Sequence, residues 1–252
     1  MMRPSFLPCP TVSILMPARN AAPWLGAAIA SVQAQQFREW ELIIVNDASD
    51  DGTATCAHAA ALGDPRLRVI HSARHIGAAG ARNMALDAAT GRYIAFLDAD
   101  DTWHPDKLHK QIPFMRTMGA ALSYTGFWRQ TALRRHHVRV PSTVTRDALL
   151  RGNVIGCLTA VYDTARLGKV PMPDLPMRHD FALWLDLLAR TGPAHGLDLP
   201  LAIHLRRAGS LSSNKLRAMA ATWRVYRDHA GLRPGMAALC LSSHLAQRLR
   251  RG

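Results

Sequence analysis

Across its first hundred residues the chain alternates, element by element, between strand-like and helix-like patterns. The run "TVSILMP" is a short β-branched and aliphatic strand signal stopped at Pro17, and "NAAPWLGAAIASVQAQ" reads as a helix with Asn20 as its cap and Pro23 in its first turn. A second strand, "ELIIVND", leads to a helix that starts at the Asp50/Asp51-Gly52-Thr53 cap signal and runs to about Leu62. "RLRVIH" is a third strand, "GAAGARNMALDAAT" a third helix closed by Gly91, and "RYIAFLD" a fourth strand. Strands alternating with helices of about 10 to 15 residues predict an α/β fold, with a mostly parallel central sheet flanked by helices. Ligands of such sheets sit beyond the carboxyl ends of the strands. That rule brings Pro17 to Asn20, Asp47 and Asp98 to one polar rim.

Beyond Thr102 the pattern changes. "HPDKLHKQIPFMRTMG" reads as a helix interrupted by Pro113, "AALSYTGFW" as a strand, and "RQTALRRHHVRVPSTVT" as a polar connection. A short helix follows Thr145, "VIGCLTAVYD" reads as another strand, and "HDFALWLDLLART" is a strongly apolar helix ended by Gly192. From about Lys215 the chain is helical and basic. With 252 residues, 48% of them hydrophobic and 19% charged, it is long enough to bury a sizeable core and is not disordered. The opening "MMRPSFLPCP" lacks the apolar core of a signal peptide, and no apolar run nears the roughly 20 residues of a membrane span, so a cytoplasmic location is expected. Cys9, Cys56, Cys157 and Cys240 are too scattered for a CxxC metal site or a disulfide framework and read as reduced, inert thiols. The net charge of +13 points to a polyanionic partner: nucleic acid, an anionic membrane surface or a phosphorylated substrate.

The fourth strand ends in three carboxylates among four residues, Asp98, Asp100 and Asp101, which repel one another unless a cation is near. In an extended segment Asp98 and Asp100 face one side while Ala99 faces the core. Two carboxylates so placed make a half-site for Mg²⁺ or Mn²⁺, whose other ligands are water and the oxygens of a nucleoside diphosphate. Taken alone, the D-x-D reads equally as loop acids capping the helix that starts near Pro105. The apolar strand before it and the second strand-end acid, Asp47, favour the ligand reading.

From "VSILMPARNAAPWLG" through "ELIIVNDASDDGTA" and "GAAGARNMALDAATGRYIAFLDADDTWHPDKL", residues 11 to about 110 resemble the N-terminal half of family 2 glycosyltransferases of the GT-A fold. "GNVIGCLTAVYD", "MRHDFALWLDLL" and "GSLSSNKLRAMAATWRVYR" are similar to the subgroup that builds bacterial capsule, teichuronic acid and lipopolysaccharide sugars. The resemblance implies a GT-A domain over 11–213, with a nucleotide-sugar half (11–110), an acceptor half (111–213) and a basic helical tail (214–252). It implies an inverting, metal-dependent transferase that takes a nucleotide-diphosphate sugar and hands the sugar to a glycan or lipid-linked glycan. By position, Asp47 meets the nucleobase and the backbone of Pro17 and Ala18 lines its pocket. Asp98 and Asp100 hold ribose and metal-bound diphosphate, Arg82 faces the nucleotide, and Asp180 is the base that removes the acceptor proton. Where relatives have Tyr, Arg19 stands and can stack on a base or face solvent. His179 replaces a common Glu or Gln, and His204-Leu205 replaces a Tyr-Arg pair, leaving Arg207 as the diphosphate contact. Asp180 reads equally as the N-cap of its helix.

Two other functions compete. "FLDADDT" is similar to the D-x-D of haloacid-dehalogenase-like phosphatases, with Asp98 and Asp100 as the acids, but there the nucleophile follows an early strand. A nucleic-acid module would explain the charge, yet the basic residues are not interleaved with stacking aromatics. The histidines form no HxH or HExxH pattern, Trp184 reads as core, and Gly77 and Gly80 lack G-x-G-x-x-G spacing. Between Arg206 and Gly252 stand ten Lys/Arg and one acid, Asp228. Ala238, Leu241, Leu245 and Leu249 recur there at helical spacing. That amphipathic stripe would lie on an anionic membrane or pack on the protein itself.

Overall fold

The computed structural model describes residues 9–206 and 215–250, leaving aside the side chains of 215 and 247–250. The first half runs β1 (Val12–Ala18), α1 (Ala22–Gln33), β2 (Trp40–Asp47), α2 (Thr53–Gly63), β3 (Leu67–Ser72), α3 (Gly77–Ala88) and β4 (Tyr93–Phe96). The second runs β5 (Thr102–Trp103), α4 (Lys107–Met118), β6 (Leu122–Gln130), β7 (Arg135–Val138), β8 (Thr143–Val144), α5 (Arg146–Arg151), β9 (Val161–Asp163), α6 (Thr164–Leu167), α7 (His179–Thr191), β10 (Ala194–Leu205), α8 (Lys215–Arg224) and α9 (Pro234–Arg250). The sheet order is β3-β2-β1-β4-β9-β6-β10-β5, with β7 beside β6 and β8 beside β10. As expected, β1 to β4 are parallel neighbours. The sheet then becomes mixed, because β9 enters antiparallel to both β4 and β6 before β6 and β10 run parallel again.

The period of two along the central strands builds both layers at once. Val12, Ile14 and Met16 of β1 pack with Leu25, Ile29 and Leu108 on one face. Leu15, with Ile43 and Val45 of β2, packs on the other face with Ala81, Ala85 and Trp184. Strands covered on both faces need no polar side, which is why β2 reads as a continuous apolar run.

Several local expectations are corrected. Asn20 is not the cap of α1: the cap position is Ala21, and Asn20, at φ 46°, accepts a hydrogen bond from Asp50 N at 3.1 Å, tying together the turns after β1 and β2. Gly91 does not close α3, which ends at Ala88. A Cβ at 91 would lie 2.7 Å from Ser13 N, so Gly91 permits the close approach to β1. Pro113 does not interrupt α4. The polar connection contains β7 and β8, and of "VIGCLTAVYD" only Val161–Asp163 is strand. Along β10, Pro200 sits between two register shifts, so simple alternation does not reveal this strand.

The C-terminal helices join the body. Tyr226, fully buried, donates to Leu150 O at 2.5 Å, and its ring meets Phe181 of α7 edge-on at 5.8 Å. His244 of α9 packs edge-on against the same Phe181 at 6.0 Å. Ala237 and Cys240 are buried and Leu241 is partly buried against the same core. Of the expected stripe, Leu241 thus turns inward, Ala238 and Leu245 are exposed, and Leu249 lies outside the described side chains.

Candidate active site

Phe96, on β4, packs edge-on against Trp184 of α7 at 5.5 Å between ring centroids. This contact brings the segment after β4 and the start of α7 to one rim. Two residues past Phe96, Asp98 turns partly outward, Ala99 is buried and Asp100 is again half-exposed. The exposure alternates as expected, but the segment is not extended: Asp101 N donates to Asp98 O at 3.0 Å, so a turn and not a strand period sets the directions of Asp98 and Asp100.

Arg82 organises the rim. It sits on α3 among buried small residues, and only 3% of it is exposed. Its Nη2 donates to Asp98 Oδ1, and its Nη1 to His179 Nε2 at 2.8 Å. Burial works against the guanidinium charge, but the carboxylates of Asp98 and Asp180 hold it above the ordinary arginine range. His179 is pushed below its ordinary value, first by burial and then by Arg82. An arginine cannot accept a hydrogen bond, so His179 is neutral, with its proton on Nδ1 facing Leu175 O at 3.2 Å. The segment entering α7 is tied to α3 a second time: Asn83 donates to Met172 O at 2.9 Å and accepts from Met172 N at 2.7 Å.

Asp180 lies in the first turn of α7, half-buried, and its carboxylate has no hydrogen bond among the described residues. The N-cap reading is corrected, since Arg178, at φ 66°, holds that position. A carboxylate at a helix N-terminus, facing a buried cation and lacking a donor of its own, is available to accept a proton from a ligand. Cys157 faces the same charges. Burial pushes its thiol well above the usual range despite Arg82, which keeps it unreactive.

The other expected residues divide. Asp47 is buried and committed: Oδ1 accepts from Ile76 N at 2.7 Å, and Oδ2 from Gly77 N at 3.0 Å and His75 Nδ1 at 2.7 Å. It thereby anchors the start of α3. Pro17 is half-buried, Ala18 buried and Arg19 exposed at the end of β1. Arg207 lies outside the described residues. Asp101, marked in the sequence only as the third acid of the cluster, is 2% exposed and accepts from His204 Nδ1 at 3.1 Å and Leu205 N at 2.9 Å. Burial pushes its carboxyl up to about 6, with His204 pulling the other way. Its partners stand 103 and 104 positions along the chain, and no local pattern announces them.

Among the described residues no group of three His, Cys, Asp or Glu could hold a metal ion. The fit to a divalent cation therefore rests on Asp98 and Asp100. Arg82 takes Oδ1 of Asp98, and carboxylate oxygens are hard donors of the kind Mg²⁺ or Mn²⁺ takes beside water, so two acids suit a partial site and not a closed protein cage. The residues fit that partial role.

Residues 13–158 match the family described as glycosyl transferase family 2. The chain belongs to that family. This family 2 glycosyltransferase is 40% identical over 223 residues to TuaG of Bacillus subtilis, assigned to teichuronic acid biosynthesis, covering 87% of this chain and 88% of that one. It is 34% identical over 220 residues to WfgD of Escherichia coli, a UDP-Glc:alpha-D-GlcNAc-diphosphoundecaprenol beta-1,3-glucosyltransferase, covering 86% and 85%. The fold matches S. aureus TarS 1–349 in complex with UDP-GlcNAc, with a TM-score of 0.71 at 20% identity over 93% of this chain and 71% of that one. It also matches the mannosyltransferase PcManGT of Pyrobaculum calidifontis in complex with GDP-Man and Mn²⁺, with a TM-score of 0.57 at 21% identity over 96% and 65%. The glycosyltransferase reading and the GT-A fold stand. The phosphatase and nucleic-acid readings gain no support from these likenesses.

Proposed function

We propose that this family 2 enzyme moves one sugar, with inversion, from a nucleoside-diphosphate sugar to a hydroxyl of a lipid-linked surface glycan. The observation that carries the reading is the row Asp98, Arg82, His179, which leads a buried cation from the D-x-D to the neighbour of a half-exposed carboxylate, Asp180. The donor class is supported by the UDP-GlcNAc complex of TarS, and the acceptor class by the activity named for WfgD.

Asp180 takes the proton of the acceptor hydroxyl, whose oxygen bonds to the anomeric carbon. The bond from that carbon to the diphosphate breaks, and its electron pair leaves with the nucleoside diphosphate. Attack opposite the leaving group inverts the centre through an oxocarbenium-like state. Arg82 stabilises the developing negative charge, held ready by Asp98 and already stripped of water. Asp98 and Asp100 would hold a divalent ion, which would supply further positive charge against the diphosphate. Pro17 and Ala18 line the nucleobase pocket, Arg19 stacks over it, Asp47 serves it by fixing the 75–77 segment, and Arg207 contacts the diphosphate. Residues 11–110 receive the donor and 111–213 the acceptor.

The 214–252 tail supports a place at the inner face of the cell membrane. No helix among the described residues is long and apolar enough to cross a membrane, while Leu216, Met219, Met236, Leu239 and Leu245 are exposed on α8 and α9 in a strongly basic segment. Sedimentation should show the protein on vesicles containing phosphatidylglycerol and not on phosphatidylcholine alone. Equal recovery with both would remove the anionic-surface reading.

The deciding experiment incubates the protein with UDP-, dTDP- and GDP-sugars, Mn²⁺ and an undecaprenyl-diphosphate-linked sugar. A product of inverted anomeric configuration is expected by NMR. A retained configuration, or nucleotide release that ignores the acceptor, would overturn the assignment.

A further inference from the structure

We propose that His179 is a positioning residue, a neutral imidazole that fixes the Arg82 guanidinium and through it the relation between the D-x-D and Asp180. The inference rests on the roles proposed above for Arg82 and Asp180.

The argument begins with what Arg82 lacks without it. Asp98 engages Nη2 only, and a guanidinium held at one nitrogen can pivot about that contact. Nη1 has His179 Nε2 at 2.8 Å, and its other neighbour is the Met172 sulfur at 3.9 Å, a weak acceptor. Nε is buried with no partner among the described residues, so His179 supplies the second strong anchor. The histidine is itself fixed at both nitrogens, through Leu175 O on one side and Arg82 on the other. It is followed directly by Asp180 in the first turn of α7. Orientation thus passes from the end of β4 through Arg82 and the His179 ring to the backbone that carries the acceptor-side carboxylate. A side chain able to accept at that reach serves the purpose; an apolar one leaves a buried N–H unpaired and the cation loose.

Two measurements test this on the full chain. In ¹⁵N-detected imidazole spectra at neutral pH, the resonances lost in His179→Gln should be those of a neutral ring protonated at Nδ1; an Nε2-protonated or doubly protonated ring would overturn the proposal. In calorimetry with Mn²⁺ and UDP, GDP or dTDP, His179→Leu should weaken the tightest-binding nucleotide on the order of 10-fold, whereas His179→Gln, which keeps an acceptor, should stay within about 3-fold. Equal affinities for the two variants would also overturn it. Failure of the unaltered protein to bind any of the three nucleotides would count against the proposed function, and the ring spectra would still decide the state of His179.

Discussion

The two halves of the sheet deliver their carboxylates to the rim by different routes. Asp98 arrives locally, two residues past a strand of four buried residues whose neighbour β1 comes earlier in a repeating strand-helix pattern. Asp180 arrives through packing, because Trp184 must find Phe96 and Arg82 must find His179 across 97 positions of sequence. The side proposed to receive the donor is therefore a product of chain order. The side proposed to receive the acceptor is a product of tertiary contacts and is open to disruption from far away.

The largest effect that separates the two sides is expected for Asp180→Asn. Transfer should fall by roughly 10²- to 10⁴-fold, the usual share of general-base catalysis, while nucleotide affinity stays near its original value. Steady-state kinetics paired with calorimetry checks this, and normal turnover would remove Asp180 as the base. Asp100→Ala should do the reverse, removing the Mn²⁺-dependent part of nucleotide binding, on the order of 10-fold or more. Nucleotide affinity that responds to Mn²⁺ as before would show that the ion binds elsewhere.

Substitution of Gly196 probes the fragility of the second half. A Cβ there would meet Pro141 O at 2.0 Å, so Gly196→Ala must push β10 away from the segment that leads into β8. A loss of about 1–3 kcal/mol or more is expected in denaturant unfolding. An unchanged midpoint would mean that this edge yields freely.

A last test, read as a change with pH and not as a single loss, concerns Lys107, fully buried behind the turn that carries Cys157. Its amine donates to Gln111 Oε1 and to Thr159 O at 3.3 Å, two bonds that a neutral amine can satisfy. Burial pushes it down from 10.5 to about 7. Between those values the unfolded chain binds more protons than the folded one, so stability rises with pH by up to about 1.4 kcal/mol per unit. Any thermal advantage of Lys107→Met should thus be greatest near pH 6 and shrink towards pH 9. Parallel melting curves for the two proteins would show that Lys107 titrates normally.

Legibility in the sequence follows the same division. β1 to β4 and the rim could be read because each depends on period, strand ends and neighbours a few residues apart, whereas Asp98 and Asp100 owe their directions to a turn that the strand period does not announce. β7 was hidden in a polar stretch because it is a half-exposed edge hairpin, and β10 because Gly196 and Pro200 interrupt its alternation. The core role of Trp184 was legible from an apolar helix face. The engagement of Asp47 with Ile76 and Gly77, and the bond that His204 donates to Asp101, were not. A carboxylate at a strand end looks the same in sequence whether it awaits a ligand or holds a distant backbone.

Tyr226 and His244 press on Phe181 from behind, one residue beyond Asp180. A protein shortened ahead of Lys215 to ease its handling would lose that backing, and slower turnover in it would report a slackened α7 rather than a missing lipid contact. By the same leverage, a bilayer bound to α8 and α9 as proposed would push on the scaffold that carries Asp180, and attachment to the surface and readiness to react would be felt through one aromatic side chain.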